Sequence, residues 1–184
     1  MSRRLIGAIG VVAGVMALQA LGGCSTAPKS AEGKADIVQE ADAALAKAQR
    51  ADPSLTSVFR PAAGYAVFPS VGKGAIGIGG AYGKGVLYER GDPVGYCDLS
   101  QASIGFQLGG QAYTEIIVFQ TPQAVSTFKE GKFRFDAQAT AVALKSGVGA
   151  NAEFANGVAV FTMDEAGLMY EASIGGQKFS YEAR

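Results

Sequence analysis

Apolar positions recur with two different periods along the chain, and they separate a helical beginning from a long β-rich remainder. Between Ala35 and Ala51, apolar residues recur at helical spacing among alanine, glutamate, glutamine and lysine, and Asp52-Pro53 ends the pattern. A helix that lies in a membrane surface would have a larger apolar face and more cations. The pattern therefore predicts an amphipathic helix that packs on the domain.

After Pro61 the chain consists of short apolar runs rich in valine, isoleucine, phenylalanine and tyrosine, separated by turns that contain glycine. Most of these connections are too short for a parallel crossover, so antiparallel pairing is expected. The predicted strands are Gly64–Phe68, Ala75–Ala81, Val86–Glu89, Ala102–Gly109, Tyr113–Phe119, Ala137–Leu144, Val158–Met163, Leu168–Ile174 and Lys178–Glu182.

One short helix is predicted between the strands. Thr121 can cap it, Pro122 suits its first turn, and Gly131 can terminate it. Glycines within the strands favour curvature, bulges or close backbone packing. The sequence therefore predicts an α+β fold, with a strongly curved or barrel-like antiparallel β-sheet, an N-terminal amphipathic helix and one short helix inserted between strands.

The first 24 residues have the pattern of a bacterial secretion signal. Arg3-Arg4 precede an apolar stretch from Leu5 to Ala20, and Leu21-Gly22-Gly23-Cys24 follow. Small residues before a cysteine are typical of a signal that is cut at that cysteine, whose thiol then receives a diacylglyceryl group. A transmembrane anchor is the alternative, but the apolar stretch is barely long enough to span a bilayer. The pair of arginines also matches part of a twin-arginine signal, whose other residues are missing.

We therefore expect residues 1–23 to be removed as a lipoprotein signal peptide and Cys24 to carry diacylglycerol and an N-acyl chain. Ser25 stands where an aspartate would hold the product at the inner membrane, so an outer-membrane location is expected. Residues 24–34 are expected to form a flexible tether, and residues 35–184 a single domain in the periplasm. Exposure on the cell surface stays open.

Composition argues against several classes of function. The chain has no histidine, which excludes imidazole-based catalytic triads and nearly all zinc and copper sites. Its 16 basic and 16 acidic residues balance, which argues against nucleic-acid binding. Once Cys24 is lipidated, Cys97 is the remaining cysteine, and we expect it to be a buried apolar residue. A protein that is not an enzyme, and that holds no metal, is therefore expected.

The glycine-rich run Gly77–Gly85 fails both common nucleotide-binding patterns. A dinucleotide fingerprint that starts at Gly77 needs glycine or alanine where Tyr82 stands. A phosphate-binding loop that ends at Gly83-Lys84 needs glycine where Ile78 stands and serine or threonine where Gly85 stands. Nucleotide binding is therefore not expected here.

Five segments in a fixed order carry a resemblance to a known family. They are Ala63–Pro69, the glycine-rich run Gly77–Gly85, the long segment Ala102–Phe119, Phe135-Asp136-Ala137, and Ala166-Gly167-Leu168. Over about Ala62 to Gly175 the chain resembles the SYLF domain family of lipid-binding proteins. The resemblance implies membrane-lipid binding, with phosphoinositides for eukaryotic members and actin contacts in some fungal members. This chain lacks the SH3 domain of those members, and its helix follows a lipid anchor. The resemblance is therefore a better guide to the fold of this chain than to its ligand.

A lipid site needs an apolar groove and a few cations or backbone amides. Tyr82, Tyr88, Tyr96 and Tyr113 could flank such a groove, or they could be core residues with hydroxyls near solvent. The candidate lipid-binding cations form two groups: Lys73, Lys84 and Arg90 beside the glycine-rich strands, and Lys129, Lys132 and Arg134 after the short helix. The alternative is that they are ordinary surface residues exposed to solvent.

Glu115 and Asp136 are acidic residues within the resembling segments. They could form an acid–base pair if the fold places them together, but structural use is the preferred interpretation. We therefore expect a monomeric, non-catalytic lipoprotein whose domain binds an anionic phospholipid headgroup or another amphiphile. The alternative is a structural cell-envelope protein that acts through contacts with an envelope protein partner.

Overall fold

The computed structural model of the chain describes residues 30–76, 78–103, 112–135, 139–164 and 172–184. Its helices are α1 (Ala31–Ala51), α2 (Leu55–Phe59) and α3 (Pro122–Lys129), with a 3₁₀ turn at Gly149–Asn151. Its strands are β1 (Gly64–Ile76), β2 (Ile78–Glu89), β3 (Asp92–Ser103), β4 (Ala112–Phe119), β5 (Thr140–Ala143), β6 (Val158–Asp164), β7 (Ala172–Ser173) and β8 (Gln177–Ala183). The α+β class predicted from the sequence is confirmed. None of the described helices is long and apolar enough to cross a membrane.

The strands form one sheet in the order β7-β5-β6-β4-β1-β2-β3-β8. Among the described residues, neighbouring strands pair antiparallel except that β5 runs parallel to β6, with Val142 beside Phe161. The connection between these two strands runs from residue 144 to residue 157 and includes the 3₁₀ turn, so it is long enough for a parallel crossover. The expectation of a purely antiparallel sheet is therefore wrong at this one pair.

The sheet is strongly curved. Its two edge strands, β7 and β8, are joined by a connection that is too short to link opposite edges of a flat sheet. Residues 174–176 alone separate β7 from β8, although these strands stand at opposite ends of the sheet order. Gln101 Nε2 of β3 donates to the carbonyl oxygens of Ser173 and Gly175, at 3.2 and 2.9 Å, where the two edges approach. No ladder joins β7 to β8 among the described residues, so the sheet is not closed and the predicted barrel is not confirmed.

A bulge in the central strand β1 adds to this curvature. The register of β1 shifts between Val67 and Ser70 against β2, and between Phe68 and Val71 against β4. Pro69 lies within the shift, where its missing N–H interrupts no regular ladder bond. A central strand tolerates this proline because the bulge has already broken the ladder.

The curved sheet has an inner and an outer face, because successive side chains of a strand alternate between the two sides. The outer face is covered by α1 and α2, and the inner face is enclosed by the sheet itself and by α3. The outer-face core includes Val67, Val86, Ile116, Val118 and Phe161, and the inner-face core includes Phe68, Leu87, Leu99, Ile117 and Phe179.

Helix α1 packs on the outer face, as the sequence pattern predicts. Its buried residues are Ile37, Ala41, Ala44 and Ala48, one stripe at helical spacing. The helix begins at Ala31, four residues before the predicted start, because the Ser30 side chain accepts a hydrogen bond from Gly33 N at 3.1 Å. Residues 31–34, which were expected to belong to the tether, therefore form the first turn of α1.

Helix α3 matches its prediction at both ends. Thr121 Oγ1 accepts from Ala124 N at 3.2 Å, Pro122 opens the first turn, and Gly131 follows the helix with a φ of +65°. Gly131 therefore has the left-handed conformation that ends many helices.

Two strand predictions are wrong. The chain reverses between Ile76 and Ile78, inside the predicted strand Ala75–Ala81, because Ile76 pairs with Ile78 across a tight hairpin. Strand β3 was missed over Asp92–Leu99, where glycine, aspartate and proline interrupt the apolar pattern. Parts of the predicted strands at Ala102–Gly109, Ala137–Leu144 and Leu168–Ile174 lie outside the described residues.

Candidate functional site

A groove of about 420 Å³ lies beside strands β5 and β6, and we call it the β5–β6 groove. Val158, Val160 and Ile174 belong to the buried inner-face core and give the groove an apolar floor. Val142 is 43% exposed, an unusual environment for a large apolar side chain. The remaining lining residues are Phe133, Arg134, Phe135, Ala139, Thr140, Glu153, Ala155, Asn156 and Ala159. A cavity of this size, lined by apolar side chains together with the charged side chains of Arg134 and Glu153, falls within the range of small-ligand sites.

Arg134 is the cation of this groove, and its aromatic neighbours are anchored in the core. The rings of Phe133 and Phe135 meet edge to face with their centroids 4.9 Å apart, and both also contact Phe179. Arg134 Nη1 donates to the carbonyl oxygens of Gly131 and Phe133, at 2.7 and 2.6 Å. Within the described residues no carboxylate lies at ion-pair distance from Arg134. The guanidinium charge is therefore positioned by the backbone while it faces solvent.

A second cavity of about 390 Å³ lies between α3 and the turn that joins β2 to β3, and we call it the turn pocket. Lys129 of α3 forms an ion pair with Glu89 at the end of β2. The Lys129 ammonium also lies 5.4 Å from the centroid of the Tyr181 ring. Arg90 of the turn lines the same cavity.

The structure groups the six predicted cations differently from the sequence. Arg90 and Lys129, which belong to different predicted groups, line one cavity, while Arg134 lines the other. Lys132 is exposed and pairs with Glu130 at 2.7 Å. Lys84 is half-buried in β2, opposite Asp98 of β3, and Lys73 lies in β1 with its side chain outside the described residues.

The four predicted tyrosines line neither cavity. Tyr88, Tyr96 and Tyr113 are buried core residues, and Tyr82 is 41% exposed, with its hydroxyl donating to Asp98 Oδ1 at 3.1 Å. The Tyr88 hydroxyl donates to Asp42 Oδ1 at 2.7 Å, and burial together with that carboxylate raises the tyrosine pKa. Tyr88, Tyr96 and Tyr113 are therefore core residues, as the alternative interpretation expects, whereas Tyr82 is a surface residue.

Glu115 is fully buried on the inner face of β4. Gln177 Nε2 of β8 donates to Glu115 Oε2 at 2.9 Å, and the Tyr113 hydroxyl donates to the same oxygen at 3.3 Å. Burial raises the pKa of Tyr113, and the neighbouring Glu115 carboxylate raises it further. This arrangement connects β4 to β8 through the interior. Asp136 lies outside the described residues, so the structure does not test its predicted pairing with Glu115.

Cys97 is buried in the inner-face core, 1% exposed, as expected for an apolar residue. Burial, reinforced by the nearby Asp98, raises the pKa of its thiol far above the ordinary value. Because the thiolate is the reactive form, burial and the raised pKa both disfavour reaction at this thiol. No group of three or more potential metal-ligating side chains occurs in the part of the chain that the structure describes.

Sequence reasoning missed the β5–β6 groove, although one signal was present. In Phe133-Arg134-Phe135, a cation stands between two aromatic residues, and all three residues line the groove. The other walls come from β5, β6 and Ile174, which are separated in sequence and meet only in the folded sheet.

Comparison with known proteins agrees with the SYLF resemblance. Residues 100–183 match the family described as "Ysc84: Las17-binding protein actin regulator". The chain is 30% identical over 156 residues to Beta cell expansion factor A of Aeromonas veronii, an alignment that covers 83% of this chain and 59% of that protein. The chain thus spans less than two thirds of the length of that relative. Residues 100–183 of this chain therefore match the Ysc84 family, in agreement with the SYLF resemblance of the sequence.

Proposed function

We propose that this protein is a lipoprotein of the outer membrane whose domain binds a membrane amphiphile in the β5–β6 groove, without catalysing a reaction. The observation that carries the proposal is the groove itself, with its apolar floor, the exposed Val142 and the Arg134 guanidinium on one cavity. An acyl chain would contact the floor, and an anionic headgroup would pair with Arg134. The SYLF resemblance supports the same class of ligand.

The proposed anchor is the acylated Cys24. It precedes Ser30, the cap of α1, by six residues, a distance of at most about 20 Å for an extended chain. Lys34 Nζ pairs with Glu182 Oε1 at 2.8 Å, so the first turn of α1 lies beside the end of β8. A short tether on this helix would hold the domain close to the bilayer. The acyl chains then supply attachment, and the groove supplies ligand selection.

Mass spectrometry of the protein purified from bacterial membranes tests both parts of this proposal. The intact mass should correspond to a chain that begins at Cys24 and carries a diacylglyceryl group and an N-acyl chain. A solvent extract of the same preparation should contain near-stoichiometric phospholipid or another amphiphile. Val142→Glu should deplete the extract, because a charge in an apolar cavity opposes binding of an acyl chain.

Ala150→Glu is the matched control, because it adds the same charge at an exposed position that does not line the groove. Its extract should equal that of the parent protein. Equal depletion by both substitutions, or a parent extract free of amphiphile, would refute groove binding. An unmodified mass that retains residues 1–23 would refute the anchor, whatever the extract contains.

A further inference from the structure

Asn156 and Gly157 form the two-residue turn that leads into β6. Their φ values are +52° and +77°, and they lie between Ala155 and Val158, which pair with each other. Asn156 is exposed. Within the described residues, no hydrogen bond occupies its side-chain amide or the N–H of Gly157. Both groups are therefore available to react with each other.

The backbone nitrogen of Gly157 is also sterically open. A Cβ atom at this glycine would have the side chains of Thr121 and Gln120 as its nearest neighbours, at 3.9 and 4.0 Å. The side-chain amide of an asparagine can react with the backbone nitrogen of the next residue, and a side chain on that residue hinders the approach. Glycine removes this hindrance.

Few hydrogen bonds keep this turn closed. Ala155 N donates to Val158 O, and Val158 N donates to Ala155 O, both at 3.0 Å. This pair is an isolated bridge, and residues 152–154 before it belong to no strand. Among the described residues, one further backbone bond holds the turn, from Gln120 N to Gly157 O at 2.8 Å. The turn can therefore open locally while the ladder between β4 and β6 stays intact, and opening lets the Gly157 nitrogen reach the Asn156 side chain.

The other asparagine of the chain, Asn151, has both reacting groups occupied. Its Nδ2 donates to Gly147 O at 3.4 Å. The next residue is Ala152, whose N–H donates to Gly149 O at 3.2 Å and whose methyl group adds steric hindrance. The fold therefore gives two asparagines of one chain opposite environments.

We propose that Asn156 converts spontaneously to aspartate and isoaspartate in the folded protein. The Gly157 nitrogen forms a bond to Cγ of Asn156, and the side-chain nitrogen leaves as ammonia with the proton of the Gly157 N–H. Water then adds to one carbonyl carbon of the resulting succinimide ring and breaks the bond from that carbon to the Gly157 nitrogen. Opening at Cγ yields aspartate, and opening at the main-chain carbon yields isoaspartate. The conversion consumes one water and releases one ammonia.

This modification changes the charge of the β5–β6 groove, because Asn156 lines it. Arg134 and Glu153 are the charged residues among those that line the groove, so their charges balance, and a carboxylate at position 156 makes the sum negative. Aspartate suits the turn as well as asparagine does, whereas isoaspartate adds an atom to the main chain and disrupts the bridge. The effect on ligand binding rests on the proposed function, but the covalent step does not.

Mass spectrometry of the purified full chain, incubated at neutral pH and physiological temperature in water labelled with heavy oxygen, tests the covalent step. A protease that cuts after glutamate separates the two asparagines at Glu153. The Asn156 fragment should lose its amide and gain one heavy oxygen before any change is detectable at Asn151. An amide retained at Asn156, or lost equally fast at Asn151, would overturn the proposal.

Partitioning onto phosphatidylcholine vesicles that contain phosphatidylglycerol tests the effect on the groove. Asn156→Asp reproduces the aspartate product and should bind these vesicles less than the parent protein does. Ala150→Asp is the matched control, because it adds the same charge at an exposed position outside the groove. Equal loss of binding in both variants would refute the effect on the groove. A parent protein that binds no vesicles would count against the proposed function, while the mass measurement still decides the covalent step.

Discussion

At the scale of single residues, Asp52 shows how one carboxylate connects distant parts of the chain. It is fully buried at the end of α1 and accepts four hydrogen bonds. The donors are Ser54 N at 3.0 Å, Ser54 Oγ at 2.6 Å, Gly147 N at 3.1 Å and Gly149 N at 2.6 Å. Burial raises the pKa of Asp52, but the hydrogen bonds from Ser54, Gly149 and Gly147 lower it by more, so the folded-state pKa lies below its ordinary value of 3.8.

We predict that Asp52→Asn destabilises the protein by about 1–3 kcal/mol at neutral pH, because an amide cannot accept all four hydrogen bonds. The contribution of the carboxylate is fully present above the unfolded-state pKa and is lost as the pH falls through the lower folded-state pKa. Urea unfolding between pH 7 and pH 3 should therefore show a weaker loss of stability on acidification for the variant. The exposed Asp36→Asn is the control, and an equal effect from it would contradict the prediction.

At the scale of secondary-structure elements, α1 depends on small residues for its close contact with the sheet. Ala41, Ala44 and Ala48 are buried against the outer face, and Ala41 and Ala48 are completely inaccessible to solvent. Polar contacts flank this stripe: Tyr88 donates to Asp42, and Lys34 pairs with Glu182. The sequence period identifies the buried stripe, but it does not identify the strands that receive it.

We predict that Ala48→Glu destabilises the protein by about 3 kcal/mol or more, because it overpacks the interface and buries a carboxylate without a partner. Ala43→Glu is the matched control, since it lies on the exposed side of the same helix. Urea denaturation followed by circular dichroism compares the two. Similar midpoints for both variants would show that α1 is not packed on the sheet.

At the scale of the whole molecule, the curled sheet is held by side chains as well as by its ladders. Three strands, β1, β2 and β3, lie between β4 and β8 in the sheet order, yet Gln177 of β8 contacts Glu115 of β4 across the inner face. Between the neighbouring strands β1 and β2, Gly85 permits close packing: a Cβ atom there would lie 2.6 Å from the ring of Phe68 and 2.6 Å from Val67 O. Curvature thus brings residues together that the order of strands keeps apart.

We predict that Gln177→Leu destabilises the protein by about 2 kcal/mol, because it leaves the buried Glu115 carboxylate without the Gln177 donor. Lys178→Leu provides the comparison, since its side chain is exposed on the opposite face of β8. Thermal unfolding of both variants measures the difference. A Gln177→Leu melting temperature no lower than that of Lys178→Leu would show that this hydrogen bond does not hold the sheet together.

Local sequence features predicted the elements whose signals are contained in a few neighbouring residues. Thr121, Pro122 and Gly131 identified α3, and the alanine-rich period identified the buried face of α1. The prediction of a strand at Ala75–Ala81 was wrong, because the chain reverses within a continuous run of small and apolar residues, and no single residue there indicates a turn. Likewise Arg90, Lys129 and Arg134 were recognised as candidate cations, but their distribution between two cavities was not.

By itself, the sequence determined the α+β class, the periodic faces of the helices, the burial of Cys97 and the resemblance to the SYLF family, because each depends on residue type and local order. The tertiary structure decided the parallel pairing of β5 with β6, the approach of the unpaired edge strands β7 and β8, and the contacts of Asp52 and Glu115. It also placed Arg90 beside Lys129 in one cavity. These contacts join segments far apart in the chain, and they follow from how the sheet curves, which no local pattern specifies.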